Sequence, residues 1–333
     1  MTSSPDTMRA HRAVRVDAHA LGGFPLVVTP EVDGGALMDS LRGRFTYLED
    51  LLLGCGAILL RSFRIAGLDE FRAFATGFGH PLLDYDFAST PRSTLGKGVF
   101  TSTEYPPHQH IPLHNEQSYT VNWPMKLWFY CAVAATEGGE TPIADSREIY
   151  RRMAPSIRGR FSERRLMYVR NFGGGLDLPW EEVFGTSDRA VVEAYCRAQG
   201  IACEWLGAEQ LRTRQVCQAV ARHPKTGEMV WFNQAHLFHV SNLEPEVREA
   251  LLDAVDESQW PRHVYYGDGG AIEASVLDEI RAVLDAATVT FRWRAQDVLM
   301  LDNMLTAHGR TPFKGPRRVA AAMAEAHSAA RQR

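Results

Sequence analysis

Apolar residues along this chain switch between helical and strand-like spacing, and each switch marks a boundary between predicted elements. Leu21 to Thr29 is short, apolar and broken by proline, which predicts a strand and a loop. Leu37 to Leu53 places Leu41, Tyr47, Leu48, Leu51 and Leu52 on one helical face, and Gly54-Cys55-Gly56 ends it. Ala57 to Arg61 is a continuous apolar run, the mark of a buried strand. Leu68 to Phe78 returns to helical spacing, with Leu68, Phe71, Phe74 and Phe78 as its stripe. Asp84 to Thr101 has no period and reads as an irregular loop.

Met125 to Ala134 is aromatic-rich and predicts a strand. Glu137-Gly138-Gly139-Glu140 predicts a turn, and Thr141 to Ala144 a short strand. Asp145 or Ser146 then caps a helix running through Met153. Helices are expected at Ser187 to Gln199, Leu206 to Thr213, Glu244 to Glu257 and Ile272 to Ala286. Val230 to Asn233, Thr288 to Arg294, Asp297 to Leu301 and Arg318 to Ala326 are expected strands. The last is alanine-rich, so its position rather than its propensity carries the expectation. Strands interrupted by helical insertions, without βαβ alternation, predict an α+β fold with a mainly β core. The expected arrangement is one domain over residues 16–333, after a frayed, polar segment at residues 1–15.

Composition narrows the picture only a little. The 333 residues are 45% hydrophobic and 23% charged, an ordinary globular balance. A net charge of −4 gives no basic footprint for nucleic acid or an anionic membrane. No run of 18 apolar residues occurs, and residues 1–15 lack the apolar core of a signal peptide. Five cysteines without a CxxC pair predict free thiols in a reducing cytoplasm.

Candidate chemistry changes it more. His114-Asn115-Glu116 carries an imidazole and a carboxylate at i and i+2, which share a face in an extended segment. His308 lies far downstream in Asp302-Asn303-Met304-Leu305-Thr306-Ala307-His308-Gly309-Arg310. Two histidines and one carboxylate form a facial triad, the ligand set of non-haem Fe(II) oxygenases. Three ligands leave three octahedral positions, two for a bidentate 2-oxo acid and one for O₂. A lone HxE tripeptide is weak evidence, and most histidines in a chain are surface or core residues. The flanking residues give it weight. Arg317 and Arg318 stand side by side, and adjacent strand residues face opposite ways, so one of them reaches a co-substrate carboxylate.

Together these segments resemble the taurine dioxygenase and clavaminate synthase superfamily, and most closely the branch of the syringomycin-biosynthesis hydroxylase. The resemblance covers roughly residues 40 to 325. It is carried in order by Ser102-Thr103-Glu104-Tyr105-Pro106, His114 to Tyr119, Gly138-Gly139-Glu140-Thr141-Pro142, Trp231-Phe232-Asn233-Gln234, Tyr266-Gly267-Asp268-Gly269, Asp302-Asn303 with His308-Gly309-Arg310, and Gly315-Pro316-Arg317-Arg318. The resemblance implies a double-stranded β-helix, or jelly roll, with helical insertions. It implies His114, Glu116 and His308 as iron ligands. It implies Thr141 and an arginine as the 2-oxoglutarate site, with Arg318 in the better phase and Arg317 as its rival. Glu116 fills the place that halogenases of this iron class leave to chloride, so hydroxylation is expected over chlorination. Ala322 stands where taurine dioxygenase and clavaminate synthase carry a further arginine.

The expected enzyme hydroxylates an unactivated C–H, at the β-carbon of an amino acid or a derivative of one, free or tethered to a peptide-synthetase carrier protein. Desaturation, cyclisation or epoxidation at the same centre is the alternative outcome, and a non-catalytic jelly-roll binding protein the bland one. Glu104, Ser118, Tyr119, Arg170, Asn171, Trp231, Asn233 and Arg310 are the candidate substrate contacts. Phe172-Gly173-Gly174-Gly175-Leu176 reads as a mobile lid.

Overall fold

A computed structural model describes residues 14–84, 93–102, 105–207 and 209–329. Its spine is an eight-stranded sheet. In spatial order the strands are Val14–Asp17, Leu26–Pro30, Ala57–Leu60, Val298–Asp302, Asn122–Val133, Arg318–Ser328, Val99–Thr101 and Thr94–Gly96. Only Leu26–Pro30 and Ala57–Leu60 run parallel; the other neighbours are antiparallel. A three-stranded sheet, ordered Ile111–His114, Thr306–Arg310, Ile143–Asp145, packs against it. These two sheets are the expected double-stranded β-helix, with helices and a further four-stranded sheet inserted around it.

The long Asn122–Val133 strand explains why the centre holds. Its side chains alternate between two apolar layers. Leu127, Phe129 and Cys131 face inward with Ile143, Val319, Ala321 and Met323. Trp128 and Tyr130 face outward, against helices that carry Leu48, Phe71 and Phe74. Both faces are dry, so the strand reads as an unbroken apolar run. The alanines at 320, 322 and 324 line the helical side, where large neighbours such as Trp128 and Phe74 need small partners.

Several expectations are corrected. The helix over Leu37 to Leu53 is two helices, Leu37–Leu41 and Phe45–Cys55, parted where Gly43 adopts φ +71°. The described residues of Leu206 to Thr213 form no helix; Leu211–Cys217 is a strand. Thr288 to Arg294 forms no strand, and only Val289 bridges to Ile143. The loop expected over Asp84 to Thr101 contains the strands Thr94–Gly96 and Val99–Thr101. Residues 14 and 15, expected to fray, begin the first strand, while residues 1–13 lie outside the described residues. Asp145 caps its helix as expected, accepting from the N–H groups of Arg147 and Glu148. No helix among the described residues is long and apolar enough to cross a membrane, and the five cysteines are free.

Two buried histidines make stability depend on pH. Burial pushes His236 down to about 4 and His263 down to about 3. The Nδ1 of His263 accepts from the Val240 N–H at 3.4 Å, which needs the neutral ring. Each folded value lies below that of the unfolded chain, about 6.5. As pH falls through 6.5 the unfolded chain takes up protons that the folded chain refuses. Stability is therefore full above pH 6.5 and declines towards pH 4, by about 1.4 kcal/mol per histidine per pH unit. Urea denaturation at pH 7.5 and 5.5 should differ by about 2–3 kcal/mol, and His263→Phe should roughly halve the difference, leaving the share of His236. Equal stability at both pH values would refute the account.

Candidate active site

The three-stranded sheet assembles the triad by strand register. His308 sits directly opposite His114, and on its other side opposite Ile143. Residues far apart in the chain thus become cross-strand neighbours, with the two imidazole centroids 4.4 Å apart. The pairing slips after His308, so that Arg310 meets Ile111. Gly309 lies at the slip, and a Cβ there would stand 2.5 Å from the Ile111 carbonyl oxygen. Only glycine permits that approach.

Glu116 arrives differently from the sequence expectation. The strand stops at His114, and Glu116 stands in the following turn, where Gln117 has φ +56°. A turn, not strand alternation, brings the carboxylate round. Asn303 fixes it. The Glu116 N–H donates to Asn303 Oδ1 at 2.7 Å, and Asn303 Nδ2 donates back to the Glu116 carbonyl at 2.9 Å and to that of Pro124 at 2.8 Å. Asn115 Nδ2 returns the contact by donating to the Asn303 carbonyl at 2.6 Å. Gln234 and Ser118 both donate to the Asn115 carbonyl. Every member of this network is buried, where an unmade bond would cost about 1–3 kcal/mol.

Asp302, next to Asn303, holds the turn that leads into the His308 strand. Its Oδ1 accepts from the N–H groups of Met304 and Leu305, each at 3.0 Å. Its Oδ2 lies 3.0 Å from His223 Nε2. His223 Nδ1 accepts from the Lys225 and Thr226 N–H groups, so the ring proton is on Nε2 and points at Asp302.

One ligand atom from each of His114, Glu116 and His308 lies within 4.8 Å of the others. His114 Nδ1 donates to the Pro112 carbonyl at 2.9 Å, which puts the ring proton on Nδ1 and makes Nε2 the nitrogen able to ligate a metal. Glu116 is 3% exposed and His308 5%, while His114 is half-buried, so the site opens on one side only. Two neutral nitrogens and one carboxylate suit Fe(II).

A recess beside the triad is lined by His114, His308, Thr141, Ser102, Arg317 and Phe129, among others. Here the expectation for Arg318 is corrected. Val319, Ala321 and Met323 point into the barrel, and the residue in phase with them is Arg317. Arg318 falls on the other phase and is exposed. Arg317 donates Nε–H to the Gly139 carbonyl at 3.0 Å and Nη1–H to Ser102 Oγ at 3.2 Å. It forms no ion pair among the described residues. Burial, with Arg310 nearby, pushes its guanidinium down to about 10. A desolvated cation lacking a carboxylate partner is a built anion site.

The candidate substrate contacts divide. Ser118 is buried and donates to the Asn115 carbonyl. Asn171 is spent between the carbonyls of Ser258 and Trp260 and the Arg212 guanidinium. Asn233 donates to the Ala219 carbonyl and accepts from the Ala235 N–H. Trp231 is core, packed on Phe161. Each of these four has an internal partner, and none lines the recess beside the triad. Tyr119 is buried against Tyr168 and Phe238. Arg310 lines the recess and clamps the carbonyls of Tyr105, Pro106 and Gln109. Arg170 is buried over the Phe172 ring, 3.8 Å from Asp177. Glu104 lies outside the described residues. In the Phe172 to Leu176 segment, expected as a lid, a Cβ on Gly173 would meet the Glu209 carbonyl at 2.4 Å, so this glycine serves close packing. Asn303, His223, Ser102 and Trp293 had no assigned role from sequence, although Asp302-Asn303 and Ser102 stand inside quoted motifs.

Residues 20–323 match the model of the taurine catabolism dioxygenase TauD, TfdA family. The chain belongs to that family. A dapdiamide synthesis protein of Enterobacter agglomerans, DdaC, is 42% identical over 276 residues, covering 83% of this chain and 84% of that one. A clavaminate synthase-like protein of Arabidopsis thaliana is 32% identical over 288 residues, covering 83% and 84%. Among solved structures, PvcB, described as an Fe, alpha-ketoglutarate dependent oxygenase from an isonitrile synthetic pathway, shares the fold at a TM-score of 0.53. It is 18% identical and covers 90% of this chain and 85% of its own. AAD-2 in complex with Mn(II) and N-oxalylglycine shares it at 0.53, with 13% identity and coverage of 91% and 94%. This TauD/TfdA-family protein is an Fe(II)- and 2-oxoglutarate-dependent oxygenase.

The network predicts that metal binding depends on Asn303. Asn303→Ala should weaken Mn(II) binding by about tenfold or more, measured by titration calorimetry. Wild-type affinity in that variant would remove Asn303 from any role in holding Glu116.

Proposed function

We propose that this oxygenase hydroxylates an unactivated C–H, at the β-carbon of an amino acid or amino-acid-derived compound, in secondary metabolism. The observation that carries the reaction class is the His114–Glu116–His308 cluster opening on a recess whose far wall holds Arg317. His114, Glu116 and His308 hold Fe(II). Thr141 and Arg317 hold the distal carboxylate of 2-oxoglutarate, Arg317 through a charge-assisted bond. When bound, the metal with 2-oxoglutarate and O₂ supplies the oxidation: the co-substrate leaves as succinate and CO₂, and one oxygen atom ends in the substrate C–H bond.

The chain's own residues do the rest. Phe129 packs on the His308 ring at 5.0 Å between centroids and keeps that side of the site dry. Glu116 occupies the carboxylate place, which leaves no gap for chloride and supports oxygen insertion. The likeness to a dapdiamide synthesis protein supports an amino-acid-derived substrate. Presentation of that substrate on a peptide-synthetase carrier protein belongs to the same reading. So does Ala321, the inward-facing position four residues beyond Arg317, which argues against a sulfonate gripped from the Arg318–Ser328 strand.

The test is mass spectrometry of free amino acids and loaded carrier proteins, looking for a gain of one oxygen with stoichiometric succinate. A product lacking two hydrogens would replace hydroxylation with desaturation. Two variants separate the arginines. Arg317→Gln should raise the KM for 2-oxoglutarate at least about tenfold, the worth of one charge-assisted hydrogen bond. Arg318→Gln should leave it within about twofold, as exposed substitutions do. The reverse ranking would overturn the assignment. Succinate formation should vanish in His308→Ala and in Glu116→Ala, and full activity in either would refute its role as ligand.

A further inference from the structure

We propose that Trp293 is a positioning residue for the co-substrate. It fixes the proton of the Thr141 hydroxyl so that the hydroxyl donates into the recess. The proposal rests on the reading of the recess as the 2-oxoglutarate site and adds a residue and a mechanism to it.

The indole Nε1–H of Trp293 donates to Thr141 Oγ1 at 3.1 Å, and both residues are buried. An indole nitrogen is a donor only. The Thr141 oxygen therefore accepts a hydrogen bond from the tryptophan, and its own O–H has to point elsewhere. Thr141 lines the recess, so a ligand acceptor there meets a donor. Without Trp293 the hydroxyl is free to rotate, and it would spend part of its time with a lone pair facing the ligand. A lone pair facing a carboxylate repels it.

The same logic acts at Ser102. Its Oγ accepts from Arg317 Nη1 at 3.2 Å, and a guanidinium is also donor-only. Ser102, too, keeps its proton for another partner. Three polar side chains on this wall, Arg317, Ser102 and Thr141, are thus biased to donate. Such a wall favours a carboxylate over an amide or an alcohol, each of which brings donors of its own.

Trp293 is held well enough to do this. It is 6% exposed and meets Phe291 edge-on at 5.1 Å. Its strand-like segment is tied to the Thr141 segment by two backbone bonds between Val289 and Ile143, at 2.9 and 2.8 Å. The indole therefore has a fixed direction, at little entropic cost on ligand binding.

The experiment measures 2-oxoglutarate affinity for the Mn(II)-loaded protein by calorimetry, which needs no turnover. Thr141→Val should weaken binding about tenfold, and Trp293→Phe about three- to fivefold, within the range of a lost or misdirected hydrogen bond to a charged group. The double variant should bind like Thr141→Val alone, because the tryptophan acts only through that hydroxyl. Site-specific replacement of Trp293 by benzothienylalanine, which keeps the ring shape and swaps N–H for sulfur, should reproduce the Trp293→Phe loss with an unchanged melting temperature. Wild-type affinity in the benzothienylalanine protein, or a full additional loss in the double variant, would overturn the role of Trp293 while leaving the co-substrate site standing. Wild-type affinity in Thr141→Val would overturn both.

Discussion

The cross-strand pairing of His308 with His114 is the constraint on which the centre depends. Strand register is all-or-none: a slip of one residue turns every side chain to the other face. Here a slip would send His308 into the core and bring Ala307 to the metal. Two devices oppose it. The slip that does occur, between His308 and Arg310, is fixed at Gly309 by contact with the Ile111 carbonyl. The turn before the strand is tied by Asp302 to two backbone N–H groups and to a buried histidine. The same turn carries Asn303, which grips the backbone of Glu116. One short stretch, Asp302 to His308, therefore sets the position of all three ligands.

The recess obeys a simpler rule, the alternation of side chains along the Arg318–Ser328 strand. Val319, Ala321 and Met323 commit one phase to the interior, and that phase extended backwards reaches 317, not 318. A guanidinium in that place loses water and gains a carbonyl, a hydroxyl and the face of the Phe313 ring. None of these neutralises it, and burial depresses its basicity. Under the proposed function an entering carboxylate recovers that cost, so that what makes Arg317 a poor core residue suits it to hold an anion.

Much of this was legible in the sequence, and the reasons for the rest are specific. The triad and the long apolar strands were readable because metal ligation and double-sided burial each leave a mark that does not depend on context. The strand Leu211–Cys217 was not, and was expected to be partly helix. Its buried face is Leu211, Thr213, Gln215 and Cys217, half of it polar, so the period of two is invisible to a hydrophobic pattern. The internal hydrogen bonds of Ser118, Asn171 and Asn233 were hidden for a related reason. A polar residue beside a motif looks available until its internal partner is known. The choice between Arg317 and Arg318 failed on phase: an apolar run directly after Arg318 says that a strand follows but not which face is inside.

The substrate side follows from what is missing on the co-substrate side. With alanine at 321, four residues beyond Arg317 on the inward face, the Arg318–Ser328 strand offers no second inward-facing cation, so any anionic group on the substrate has to be met from another element. A second cationic group exists. Buried Arg170 and half-buried Arg262 share Asp177, just beyond Gly173-Gly174-Gly175-Leu176, Arg262 by a two-point ion pair and Arg170 at 3.8 Å. Burial raises the Asp177 carboxyl, but its arginine contacts outweigh that and hold it below the usual carboxylate range. A carboxylate tied between two guanidiniums restrains the segment after Gly173-Gly174-Gly175, whose glycines supply the freedom the tie removes. Leu176, next to Asp177, is exposed, an apolar side chain presented beside the tied carboxylate.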